Sequence, residues 1–116
     1  MRSYLILLTH KEPDYDELDD IFKPHMESRK IDSDIPLWDC SFTQVEEYSG
    51  LVADITKKPD FSKILNCWWF IDIDRSITCR YDALNNYEEN KDFDKIVLEK
   101  LRSSPDCWLS VFLVHH

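Results

Sequence analysis

The chain has 116 residues, 43% of them apolar, and a net charge of −9 from 23 acidic against 14 basic side chains. That length and apolar share suit one folded domain spanning 1–116, because disordered chains have too little to bury. So acidic a chain repels phosphate backbones, which argues against direct nucleic-acid binding and makes a basic protein surface its natural complement.

Residues 3–9, SYLILLT, form a continuous apolar run bounded by polar residues, as expected of a strand buried on both faces. The following stretch, PDYDELDDIF at residues 13–22, carries five carboxylates, and Glu12 adds a sixth. Asp14 with Glu17 three residues on fits a capping box. Tyr15, Leu18, Ile21, Phe22 and Met26 recur at helical spacing and predict one apolar face. Pro24 should kink this helix or restart it, since it removes an amide donor and clashes one turn back. The helix dipole favours Asp16 and Glu17 in the first turn. It does not account for Asp19 and Asp20, and Asp16 and Asp20 are like charges at i,i+4. The surplus is solubility or recognition.

Residues 31–40 read as a loop entering a short element. Val45, Tyr48, Val52 and Ile55 lie near helical spacing, but Gly50 interrupts them, so helix and strand both remain open over 44–55. Residues 57–66 look like a connector with one helical turn. Residues 67–81, CWWFIDIDRSITCRY, are aromatic and β-branched around a polar break and predict a hairpin of open register. A polar loop follows at 82–90, then a helix within 91–105 with Phe93, Ile96, Val97 and Leu101 on one face and Pro105 beyond its end. Residues 107–114, CWLSVFLV, predict a buried closing strand. The order predicts an α+β domain of βαββαβ type, a ferredoxin-like sheet with its helices packed on one face.

The four cysteines are widely spaced with no Cys-x-x-Cys, so they predict buried free thiols and a cytoplasmic home. No segment approaches the length of a membrane span. His115 and His116 read as a truncated purification tag. One glycine excludes phosphate-cradling loops, and there is no nucleophile-elbow motif. His10 and His25 are lone histidines, which are more often structural or solvated than catalytic.

Two short stretches carry sharper possibilities. In FIDID, Asp72 and Asp74 lie two apart, and on a strand they would share a face and could hold a divalent cation for phosphoryl transfer. The pair resembles the aspartates of primase and polymerase palm domains. The competing and favoured reading is that they end a strand beside its turn, with Arg75 and Arg80 available as partners.

The second stretch is LWDC, residues 37–40, with Val45 and Glu46 beyond it. It resembles the Leu-Trp-Asp-Cys that the barstar-like family of ribonuclease inhibitors carries on the helix presented to the enzyme. The run SSPDCWLSVFLV is similar to that family's passage from last helix through Cys into an apolar strand. The resemblance implies Asp39 and Glu46 as partner contacts; otherwise Trp38 is simply a core residue.

Acids are plentiful and convergent catalytic types scarce, so a binding protein is expected ahead of an enzyme. Its partner would be basic, a nuclease toxin being the leading instance, met through Asp16, Asp19, Asp20, Asp39 and Glu46 without a cofactor. The alternatives are a metal-dependent enzyme using Asp72 and Asp74, or a ferredoxin-like dimer with a metabolite pocket.

Overall fold

A computed structural model describes residues 2–26, 38, 42–82 and 85–116. The first apolar run forms β1 (Arg2–Thr9). The chain then passes through α1 (Tyr15–Phe22), β2 (Phe42–Gln44), β3 (Gly50–Leu51), α2 (Val52–Ile55), α3 (Phe61–Ile64), β4 (Trp69–Ile71) and β5 (Ile77–Cys79). A two-residue ladder of β6 (Tyr81–Asp82) with β7 (Glu88–Glu89), α4 (Phe93–Ser103) and β8 (Trp108–His115) complete it. The main sheet is mixed, in the order β2-β8-β1-β4-β5, with β3 also paired to β8. β8 runs antiparallel to β1 along its whole length, from Arg2↔His115 to Thr9↔Trp108, and β4 lies parallel to β1 with Leu5 opposite Trp69.

Alternation along β1 divides the interior in two. Leu5 and Leu7 face a core with Leu18, Ile21, Phe22, Met26, Trp38 and Trp69. Ile6 and Leu8 face the opposite core, with residues from α2, α3 and α4 such as Val52, Phe61, Phe93 and Val97. A strand covered on both faces has to be apolar throughout, which is why SYLILLT does not alternate.

The α+β class holds, and two finer expectations are corrected. Helices cover both faces of the sheet rather than one, with α1 on one side and α2, α3 and α4 on the other. The strand order also departs from the ferredoxin-like one. There the hairpin's return strand lies beside the first strand, whereas here the outgoing strand β4 takes that place and β5 goes to the edge. Composition explains it: Trp69, Phe70 and Ile71 are all buried, while Ile77, Thr78 and Cys79 are half-buried, as suits an edge.

The open segment 44–55 contains both alternatives: two short strands, a 3-10 turn at Glu46–Tyr48 and the single helical turn α2. The chain after α1 tightens into a 3-10 turn, Lys23–His25, at Pro24. The loop expected at 82–90 contributes the strand β7, next to Asn86 and Tyr87 with positive φ. Among the described residues no helix is long and apolar enough to cross a membrane. Cys67, Cys79 and Cys107 are free thiols, and burial pushes Cys67 up to about 12; Cys40 lies outside the described residues.

Candidate functional site

α1 begins as its sequence dictates. Asp14 is the N-cap, and its Oδ1 accepts a hydrogen bond from Glu17 N at 2.8 Å. Among the described residues only this half of the capping box forms, and Glu17 is one of the residues lining a cavity at the end of β1. Leu18, Ile21 and Phe22 are buried, so the helix presents Asp16 and Asp20 outward with Asp19 half-buried between them.

Tyr15 departs from expectation. Its spacing places it on the apolar face, yet it is 68% exposed. The ring stacks on Phe42 with centroids 6.1 Å apart and planes 28° apart. Phe42 in turn meets Phe22 and Phe112 edge-on at 4.8 and 5.7 Å. Tyr15 is one turn ahead of Leu18, where α1 overhangs the short edge strand β2, so only one side of it finds a neighbour. Helical periodicity gives direction around the axis but not where the sheet beneath it stops, and the position of Tyr15 in the first turn was the one available signal.

The acids thus divide. Asp20 Oδ2 pairs with Arg75 Nη1 of the β4–β5 turn at 2.7 Å, so this member of the surplus beyond the first turn also has an internal partner. Glu46 is exposed but not on the α1 face. It opens the turn that carries the chain around the sheet's rim, since Phe42 packs in the α1 core and Tyr48 in the opposite one. Asp39 lies outside the described residues. Trp38, from the same LWDC stretch, is buried, bridges to Met26 and packs against Phe22 and Trp69.

Asp72 and Asp74 are not on a strand; β4 ends at Ile71 and both belong to the turn. Asp72 Oδ1 accepts from Ile73 N at 2.7 Å, and its Oδ2 pairs with Lys100 Nζ of α4 at 3.0 Å. Asp74 Oδ1 accepts from both the Ser76 amide and hydroxyl, at 3.0 and 2.6 Å, and these bonds hold its carboxyl below the usual range. Arg75, at φ 68°, takes the left-handed conformation that closes the turn. Both carboxylates therefore serve the hairpin, and no group of three or more metal-ligating side chains occurs among the described residues.

Arg80 organises the remaining acidic region. Its guanidinium, with the side chain 11% exposed, donates to Leu65 O and Cys67 O at 2.8 Å and to Asp94 Oδ1 at 2.7 Å, and lies 4.5 Å from the Phe93 ring centroid. At the other end of the sheet His116 packs between Trp68 and Trp69, at 4.4 and 5.2 Å, and shares a 2.7 Å hydrogen bond with Ser3 Oγ. Comparison of the chain with protein-family models, with characterised proteins and with solved structures gives no significant match.

Proposed function

We propose that the chain is an acidic binding protein that occludes a basic surface on a partner protein, and that it acts in the cytoplasm as an immunity protein against a nuclease toxin or as an inhibitor of a nucleic-acid enzyme. The observation that carries this reading is Tyr15, a large ring left 68% exposed at the N-terminal end of α1, next to the exposed Asp16. Tyrosine is enriched among the residues that dominate binding energy, and a lysine or arginine of the partner can lie over its face. Its stacking on Phe42 holds the ring in place before contact, which lowers the ordering cost of association. The flanking carboxylates would steer a basic surface toward it. Of the contacts implied by the barstar-like resemblance, Glu46 on the neighbouring rim would extend this face, and Asp39 is retained on the resemblance alone.

The test is capture from the native host's lysate at low and at moderate salt, with wild type and Tyr15→Ala side by side. The expected result is a stoichiometric basic partner whose dissociation constant rises at least about tenfold in Tyr15→Ala, the level of a modest binding hot spot. Melting temperature should stay nearly constant, because the ring buries little. A captured partner that is acidic, or one held equally well by Tyr15→Ala, would defeat the proposal.

A further inference from the structure

At the carboxyl ends of the parallel pair β1 and β4 the chain leaves in different directions, toward α1 from one strand and into the hairpin turn from the other. In open α/β sheets, crevices at the carboxyl ends of parallel strands are where ligands bind. Here the divergence leaves a cavity of about 240 Å³. Its polar wall combines His10 and Lys11 after β1, Glu17 on α1, and Asp72 and Arg75 of the turn; Leu7 and Ile21 are among its apolar lining. Given that a water molecule takes roughly 30 Å³ of liquid, the space suits a molecule of about eight to ten non-hydrogen atoms and is too small for a nucleotide.

The wall is braced. Thr9 Oγ1 donates to Lys11 O at 2.7 Å and fixes the loop leaving β1. The Asp20–Arg75 and Asp72–Lys100 pairs tie the turn to α1 and to α4. Asp72 is answered on both oxygens, so its charge is largely compensated. Among the described residues the Lys11 ammonium and the Glu17 carboxylate have no internal partner, and Arg75 uses only Nη1, leaving further donors of its fork available. In a chain of net charge −9 the cavity therefore offers one cation, Lys11, and one carboxylate, Glu17, that the fold itself leaves unanswered, together with the spare donors of the already paired Arg75.

We infer that this cavity binds a small zwitterion of the α-amino-acid class, its carboxylate held by Lys11 and Arg75 and its ammonium by Glu17. Each charge of the ligand meets an opposite one, and the apolar wall of Leu7 and Ile21 receives its side chain. The proposal is independent of the α1 reading, since it concerns the inner end of that helix and a different chemistry.

The test uses the full chain and the common α-amino acids one at a time, in thermal melts and calorimetric titration. Acetate, inorganic phosphate and methylammonium serve as single-charge probes. At about one hundred times its dissociation constant, a matching amino acid should raise the melting temperature by about 8 °C. Lys11→Ala and Glu17→Gln, both at solvent-accessible positions, should melt like wild type without ligand and bind at least about tenfold more weakly. The inference is overturned if no amino acid shifts the melt, if acetate or phosphate alone gives the same shift, or if both variants bind as wild type does.

Discussion

On the hairpin side of the molecule Asp72, Asp74 and Asp94 each meet an internal donor: Lys100, the Ser76 amide and hydroxyl, and Arg80. Along α1 the distribution differs. Asp14 caps the helix, Asp20 reaches across to Arg75, and Asp16 remains exposed beside an exposed tyrosine. The two regions have similar numbers of acids and read alike as sequence. Within each region the acids differ in whether the fold brings a donor within reach, and those left outward, Asp16 beside Tyr15 on α1 and Glu89 two residues from the exposed Tyr87 on the hairpin side, are the candidates for a partner. The hairpin turn is the junction of the two regions, since its Asp72 pairs with α4 and its Arg75 with α1.

The largest test removes the centre of the hairpin side. Arg80→Ala deletes the donor to two backbone carbonyls and to Asp94, and vacates the space over Phe93. Leaving buried acceptors unanswered costs about 1 to 3 kcal/mol each, so a total loss of about 3 kcal/mol and a fall of roughly 10 °C in melting temperature are expected. Arg80→Lys should recover little, because an ammonium cannot serve three acceptors spread over a planar fork. A variant within about 2 °C of wild type would show that the region is not organised by this side chain.

The extent to which this was legible in sequence follows from the range of the interactions. β1, α1, α4 and β8 were readable because each carries an unbroken apolar run or a helical stripe over at least seven residues. The neighbour of β1 was not, because both hairpin strands are three residues long. A signal did exist: WWFI is apolar at every position and ITC is not, which marks the first as the inner strand. The partners of the carboxylates were least accessible. Asp20 and Arg75 are separated by 55 residues, and no spacing rule connects them. FIDID looked like a strand because its isoleucines alternate with acids, yet the ladder stops at Ile71 and the turn's own hydrogen bonds take over.

A smaller effect should appear at the extremes of pH, and its sign separates the two groups that brace the turn. The Ser76 hydrogen bonds depress the Asp74 pKa from its ordinary 3.8, so its contribution is present above that value and is lost as pH falls through the lower folded-state value. Bonding to Asp72 raises the Lys100 pKa from its ordinary 10.5, so that contribution is complete below 10.5 and disappears as pH rises through the higher folded-state value. Asp74→Ala and Asp72→Asn should each lower the melting temperature by about 3 °C at neutral pH, given the exposure of the groups. In strong alkali the gap from wild type should close for Asp72→Asn, because Lys100 loses its charge, and persist for Asp74→Ala, whose gap should close in strong acid. In alkali, a gap that closed for Asp74→Ala and persisted for Asp72→Asn would mean that other groups control the turn.

The smallest effects concern the α1 acids themselves, where the comparison is sharpest. Asp20 and Arg75 are 67% and 52% exposed, and a pair in that setting contributes no more than about 0.5 kcal/mol in a double-mutant cycle. Asp20→Lys loses that pair and sets two cations together, but it also relieves the repulsion between positions 16 and 20, so folding stability should change by less than about 0.5 kcal/mol. The kinetic consequences differ between positions. Asp16 lies in the exposed first turn, and Asp16→Lys together with Asp19→Lys should slow association with a basic partner by about tenfold at low salt. The loss should shrink as salt rises, because screening shortens the reach of steering. Asp20→Lys should slow association less than an equal change at Asp16, since Arg75 already answers part of its charge. Stopped-flow association rates across a salt series decide the matter. If Asp20→Lys were as damaging as Asp16→Lys, the internal pairing of a carboxylate would be no guide to its availability, and the distinction between the two acidic regions would fail where they meet.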